Sequence, residues 1–148
     1  MTGVDRKVLV ACAHYYPDII AAMLNGLKQV LDEAGVGYDI LDVPGVFELP
    51  ASIRFTAQST DKYDGYVALG CVIRGETDHY DHVCREASRA LMNLAVDDGL
   101  ALGFGVLTCE TAGQAIVRAD PAQKNKGGEA AKACLAMMAI KQNSGGAR

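Results

Sequence analysis

The chain has 148 residues, half of them hydrophobic, and a formal net charge of −4 at pH 7. That length fits one domain with a sizeable core, and the hydrophobic content excludes a disordered chain. The sequence contains no basic stripe or Lys/Arg run, which argues against nucleic acid as a partner. We expect one domain over residues 1–148, with its core at about residues 7–142 and short tails prone to disorder.

The N-terminal residues 1–18 do not have the pattern of a signal peptide. Their apolar run, residues 8–13, is short, follows a charged pair and leads into polar residues. No apolar run in the sequence is long enough to span a membrane. We therefore expect a cytoplasmic protein that makes no membrane contact.

The cysteines are dispersed, odd in number and without a CxxC pair, a pattern that indicates neither a disulfide framework nor a zinc site. They are Cys12, Cys71, Cys84, Cys109 and Cys134. Those in or at the end of apolar runs are interpreted as buried core thiols. His79 and His82 lie three residues apart, but no third metal ligand is evident, so we predict no metal site.

Strands and helices alternate along the first half of the chain. An apolar run predicts a first strand at Lys7–Ala13, and Pro17 suits the first position of the helix that follows. Residues 38–43 alternate as a second strand does, and residues 47–60 predict a second helix.

The second half continues the alternation with two strands and three helices. These are predicted at residues 66–73, 78–98, 100–109, 111–119 and 129–142, with residues 126–128 leading into the last helix. Thr77 or Asp78 is the expected cap of the third helix. The order βαβαβαβαα predicts a flavodoxin-like α/β fold, in which a four-stranded parallel sheet is flanked by helices in a three-layer α/β/α sandwich.

Unusual residues gather after the ends of three predicted strands. The carboxyl ends of parallel strands meet at one edge of the sheet, where open α/β sheets bind ligands. The residues that follow the strands are His14, Tyr15 and Tyr16, then Gly45, Val46, Phe47 and Glu48, then Gly75, Glu76, Thr77 and His79. We place the candidate site at this edge.

These residue types suit a particular set of ligands. An aromatic face can stack on a planar heterocycle, and Glu48 can accept hydrogen bonds from a polyol. The N–H groups at residues 75–77, at a helix N-terminus and together with a guanidinium, suit a phosphate. His79 can transfer protons near neutral pH. Each residue also has an ordinary structural role, such as core packing for Phe47 or a solvated charge for Arg118; the combination favours a binding site.

Five motifs resemble those of the lumazine synthase family. They are PGVFELP at 44–50, LGCVIRGETDHYDHV at 69–83, FGVLTCET at 104–111, QAIVRA at 114–119 and NKGGEAA at 125–131. The order and spacing fit from about Lys7 to Lys141. The phosphate-binding patterns GxGxxG and GxxxxGK[ST] are both absent.

The resemblance implies a transferase that acts in the penultimate step of riboflavin biosynthesis. The family condenses 5-amino-6-(D-ribitylamino)uracil with 3,4-dihydroxy-2-butanone 4-phosphate. The products are 6,7-dimethyl-8-ribityllumazine, phosphate and water. The resemblance implies no metal and no organic cofactor.

The resemblance also implies roles for residues that match the motifs by position. Tyr15 corresponds to the aromatic residue that stacks on the uracil ring. Val46, Phe47 and Glu48 fall where the family binds the ribityl chain and the ring, Glu48 through its carboxylate.

The third strand and the loop after it match further binding positions. Val72 and Ile73 would present backbone groups to the pyrimidine edge. Glu76 and Thr77 align with the phosphate loop, and His79 aligns with the acid/base residue.

Three matched residues, Phe104, Arg118 and Lys126, correspond to positions that the neighbouring subunit contributes, with Arg118 pairing with the phosphate. The resemblance therefore implies an obligate homo-oligomer. Shell-forming members carry a GTKAG-like turn where this chain has residues 120–124, and only six residues precede Lys7. Both features favour a pentamer with sites between adjacent subunits.

His14 departs from the family, which commonly has a basic or small residue there, and its role is left open.

Two other functions share the fold. A non-catalytic flavin or lumazine carrier has no need of Arg118 and His79 together. A flavodoxin-like electron carrier or signalling domain requires a phosphate loop after the first strand, and residues 14–17 are a poor phosphate nest. A structural shell without activity is the least favoured function.

Overall fold

The computed structural model describes residues 5–144, and four parallel strands form one sheet in the order β2-β1-β3-β4. The strands are β1 (Lys7–Ala13), β2 (Gly37–Val43), β3 (Gly65–Ile73) and β4 (Leu102–Cys109). Each predicted strand is present, and its bounds differ from the prediction by at most two residues. The residues at the two ends, 1–4 and 145–148, for which disorder-prone tails were expected, lie outside the described part.

The described part of the chain has five α-helices, of which three connect the strands and two follow β4. They are α1 (Pro17–Glu33), α2 (Leu49–Ser59), α3 (His79–Val96), α4 (Ala112–Ala119) and α5 (Lys126–Asn143), with a short 3-10 helix at Val46–Glu48. No helix within residues 5–144 is long and apolar enough to cross a membrane.

The sheet is buried on both faces, as the continuous apolar strands predict. Successive residues of β3 point to opposite faces: Val67 and Leu69 pack with α1, α4 and α5, whereas Tyr66 and Ala68 pack with α2 and α3. The predicted three-layer α/β/α fold is therefore confirmed.

The strand order creates a crevice between β1 and β3. The chain moves outward from β1 to β2 through α1 on one face, then returns past β1 to β3 through α2 on the other. Cys12 pairs with Leu69, whereas β3 continues to Ile73, which pairs with Cys109 of β4. The carboxyl edge is therefore stepped beside the point where the chain reverses direction, which is where such sheets bind ligands.

The predicted start of the last helix was wrong. Helix α5 begins at Lys126, because Asn125 adopts a left-handed conformation (φ 48°) and its side chain accepts a hydrogen bond from the Gly128 N–H at 3.3 Å. Gly127 and Gly128 form the buried first turn against α1. Glycine is a poor helix former, so this start depends on packing that local propensity does not encode.

The contact between α5 and α1 leaves no room for a side chain at Gly127. A Cβ there would lie 2.7 Å from the carbonyl carbon of Met23. Gly127→Ala is therefore expected to lower the free energy of unfolding by about 1–3 kcal/mol through overpacking. Gly113→Ala is the matched control, because its Cβ would meet nothing closer than 3.9 Å. Urea denaturation of both variants is the measurement, and equal midpoints would contradict the packing argument.

Candidate active site

A cleft of about 850 Å³ opens at the carboxyl edge of the sheet, where the strand order predicts it. Its walls come from the segments that follow β1, β2 and β3 and from the first turn of α3. Most of the sequence-predicted site residues line it: Tyr15, Val46, Phe47, Glu48, Val72, Ile73, Thr77 and His79. The structure thus brings together residues that are more than sixty positions apart in the chain.

Two exposed aromatic rings lie at the cleft. Tyr15, directly after β1, is 71% exposed, and Phe47, in the 3-10 helix after β2, is 61% exposed. The Tyr15 ring meets the ring of Tyr16 edge to face, with 5.0 Å between centroids. Because large apolar rings normally avoid water, these two are available to stack on a planar ligand.

The segment that carries Phe47 is anchored by its buried neighbour. Val46 packs against Gly70 of β3 so closely that a Cβ on Gly70 would lie 2.6 Å from Val46 Cγ2. This anchor leaves Phe47 and Glu48 exposed on the cleft side. Glu48 precedes α2 without making a side-chain capping bond, so its carboxylate is not used by the helix.

The loop between β3 and α3, residues 75–78, is exposed along its whole length. Of the two expected caps, Thr77 accepts a hydrogen bond from the His79 N–H at 3.2 Å, whereas Asp78 makes no side-chain capping bond. His79 is the first residue of α3 and lines the cleft, so the positive dipole end of the helix lies at the cleft wall. Glu76 is exposed in the same loop but does not line the cleft.

The cleft has further wall residues for which sequence reasoning predicted no role. Tyr80 and His82 line it, and Cys71 contributes from β3. Tyr16, which the sequence placed at this edge without a specific role, also lines the cleft. Helical spacing offered a signal for His82, because residues three apart share a helix face. Burial raises the pKa of Cys71 to about 12, with nearby Cys109 adding to the effect, so this thiol is protonated at neutral pH.

Besides Glu76, three sequence-predicted site residues do not line the cleft of their own chain. Phe104 lies in the middle of the edge strand β4 and is 48% exposed. Arg118, in the last turn of α4, donates to the Gln114 carbonyl at 3.1 Å, and Lys126 pairs with Glu129 at 3.0 Å. Burial raises the pKa of the Cys109 thiol, and the positive charge of Arg118 opposes that rise, so Arg118 lies near the carboxyl end of β4.

His14 makes a contact that the sequence left open. Its Nδ1 lies 2.8 Å from Asp42 Oδ1, which links the ends of β1 and β2 beside Tyr15. Within residues 5–144, no three His, Cys, Asp or Glu side chains are grouped so that they could hold a metal ion.

Comparison with known proteins identifies the family. The family model described as 6,7-dimethyl-8-ribityllumazine synthase matches residues 5–142. The chain is 50% identical to the 6,7-dimethyl-8-ribityllumazine synthase of Paramagnetospirillum magneticum, over 94% of this chain and 97% of that protein. It is 50% identical to 6,7-dimethyl-8-ribityllumazine synthase 1 of Rhizobium meliloti (93% of each) and 48% identical to the synthase of Agrobacterium fabrum (94% and 97%). The chain therefore belongs to the 6,7-dimethyl-8-ribityllumazine synthase family.

Proposed function

We propose that this protein is a transferase that condenses 5-amino-6-(D-ribitylamino)uracil with 3,4-dihydroxy-2-butanone 4-phosphate, the penultimate step of riboflavin biosynthesis. The products are 6,7-dimethyl-8-ribityllumazine, phosphate and water. The observation that carries the proposal is that one cleft holds three features: exposed aromatic rings, a helix N-terminus, and the carboxylate of Glu48, which makes no helix-capping hydrogen bond. A heterocycle, a polyol and a phosphate need these three features.

The aromatic end of the cleft is the proposed site of the diaminouracil. Tyr15 and Phe47 enclose the ring, and Val46 and Glu48 bind the ribityl chain, whose hydroxyls donate to the Glu48 carboxylate. Backbone groups of Val72 and Ile73, at the projecting end of β3, bind the pyrimidine edge. This assignment is supported by the position of all six residues on the cleft wall.

The helix end of the cleft is the proposed site of the butanone phosphate. Glu76 and Thr77 belong to the phosphate loop, and the α3 N-terminus favours the anion. His79, the residue directly after the loop, serves as the acid/base group. The support is that Thr77 and His79 line the cleft and are joined by a hydrogen bond.

The neighbouring subunit is proposed to complete each site. Phe104, Arg118 and Lys126 lie away from the cleft of their own chain, and Phe104 exposes an aromatic ring on an edge strand. A half-exposed phenylalanine on an edge strand suits an interface better than water. We therefore infer a homo-oligomer. We infer a pentamer in particular, because residues 120–125 form a turn held by hydrogen bonds to Asp120, whereas shell-forming members carry a GTKAG-like turn at this place.

We also infer that the chain acts as one domain in the cytoplasm. A single sheet with its two helical layers accounts for residues 5–144. The cysteines are free thiols, which is typical of a reducing compartment.

The proposed reaction begins with attack of the 5-amino group on the butanone carbonyl, and loss of water gives an imine. His79 then assists proton removal, and phosphate leaves toward Arg118 of the neighbouring subunit. Ring closure and a second loss of water complete the lumazine. Most of the rate gain comes from holding two reactants in one orientation.

Turnover is the direct test of the proposed function. The purified protein, mixed with the two substrates, is expected to produce lumazine absorbance and free phosphate in step and above the uncatalysed background. Tight binding of riboflavin or the lumazine without turnover would instead indicate a carrier.

Two substitutions separate the proton-transfer role from the phosphate role. His79→Ala is expected to reduce kcat by up to about 100-fold, the lower end for a positioned acid/base group. Arg118→Ala is expected to be more severe, with kcat/KM for the butanone phosphate falling by roughly 30- to 3,000-fold, because a charged partner of the anion is lost. Steady-state kinetics with Arg89→Ala as the control gives the comparison. Parental activity in Arg118→Ala would remove its phosphate role.

Mixing two impaired variants tests whether sites are shared between subunits. His79→Ala and Arg118→Ala, unfolded together and refolded as mixed oligomers, are expected to recover roughly a quarter of parental activity, since random assembly rebuilds that share of interfaces with both wild-type halves. Each variant refolded alone is the control. No recovery, with mixed oligomers verified by native mass spectrometry, would mean that both residues serve the site of one chain.

A further inference from the structure

Arg74 is the first residue after β3 and stands at the base of the exposed loop. Its main-chain N–H donates to the carbonyl of Cys109 at 2.9 Å, which continues the β3–β4 pairing one residue past Ile73. The backbone of Arg74 is thus fixed to the sheet while the next four residues leave it.

The guanidinium of Arg74 joins two other segments. Its Nε donates to Glu110 Oε1 at 2.9 Å, and Glu110 directly follows β4. One terminal nitrogen donates to Asp81 Oδ1 at 3.1 Å, in the first turn of α3. The planar group also lies over the ring of Tyr80, 4.3 Å from its centroid. One side chain therefore ties the start of the loop, the end of β4 and the start of α3 together.

These contacts matter because the loop has little burial to order it. Residues 74–79 are all exposed, so hydrophobic packing contributes little to their position. A rigid guanidinium fork that holds two carboxylates and an aromatic face fixes more degrees of freedom than a point charge can. Tyr80 extends the effect to the cleft, because its ring contacts Arg74 and also lines the cleft.

Charge balance gives Arg74 a second effect. Asp81 and Glu110 place two negative charges beside a loop that is proposed to hold an anion, and Arg74 is in ion-pair contact with both. Without the guanidinium, both carboxylates would repel a phosphate. The fork is occupied by its partners, so Arg74 acts through the loop and does not itself need to touch the ligand.

We propose that Arg74 is a positioning residue for the phosphate substrate: it braces residues 75–78 and the first turn of α3, with Thr77 and His79, against the end of β4, and it neutralises Asp81 and Glu110. This inference rests on the proposed function for the identity of the phosphate substrate. The brace itself rests only on the contacts of Arg74.

Three variants of the full chain test the proposal. Arg74→Met keeps much of the side-chain length and removes the fork and the charge, while Arg74→Lys keeps the charge and loses the fork. Arg89→Met is the matched control, because Arg89 pairs with Glu86 on the same helix at 2.6 Å and does not line the cleft. The measurements are kcat, the KM of each substrate, and amide hydrogen exchange of residues 75–82.

Arg74→Met is expected to raise the KM of the butanone phosphate about tenfold and to lower kcat about tenfold, since small misplacements of reacting groups are costly. The KM of the diaminouracil stays within about twofold, because the hydrogen bonds and ring contact of the Arg74 side chain go to Glu110, Asp81 and Tyr80, and none of these three is proposed to bind that substrate. Arg74→Lys recovers the KM of the phosphate substrate but only part of kcat. Exchange in residues 75–82 speeds up in Arg74→Met and not in Arg89→Met.

Parental kinetics and parental exchange in Arg74→Met would overturn the proposal, and so would an equal rise in both KM values, which would indicate general loosening of the cleft. Failure of the proposed function has a different signature. If the parent chain turns over neither substrate, hydrogen exchange alone decides the brace: faster exchange confined to residues 75–82 supports it, and unchanged exchange rejects it.

Discussion

The functional architecture depends on one constraint, the need to cover a parallel sheet on both faces. Parallel strands require helical crossovers, and apolar strands buried on both sides require helices above and below. In the order β2-β1-β3-β4, the chain adds β2 on one side of β1 and adds β3 and then β4 on the other side. The direction in which the sheet grows therefore reverses between β1 and β3. The crevice at that point is a consequence of chain topology, and the candidate active site occupies it.

The cleft combines backbone that is fixed by packing or strand pairing with side chains that are exposed. Val46 is buried against Gly70, whereas its neighbours Phe47 and Glu48 are exposed. At the other end, β3 and β4 remain paired through Arg74, where the exposed loop begins. Anchored backbone next to exposed side chains is how a packed scaffold presents functional groups without leaving them to loop motion.

Two arginines near the carboxyl edge of the sheet, Arg74 and Arg118, differ in whether their guanidinium groups are paired with carboxylates. Arg74 is held by two carboxylates, whereas Arg118 makes no ion pair within residues 5–144 and contacts a backbone carbonyl. A cation already paired with acids is suited to organising structure, and one without an acidic partner is suited to receiving an anion. This difference supports assigning the brace to Arg74 and the phosphate contact to Arg118.

The sequence by itself determined the elements and most of the cleft wall. Apolar runs locate β1 and β3, Pro17 begins α1, and the residues after each strand end mark the site because parallel strands end at one edge. These signals are local, because hydrophobic periodicity and turn formation depend on residues that are close together in the sequence.

Only the tertiary structure decided the features that depend on contacts between distant segments. The start of α5 at Lys126 needs two glycines packed on α1, and the wall position of Tyr80 needs the first turn of α3 to meet the strand ends. The contacts of Arg74 with Asp81 and Glu110 join residues up to 36 positions apart. Strand register and helix packing set such distances, and no local pattern in the chain encodes them.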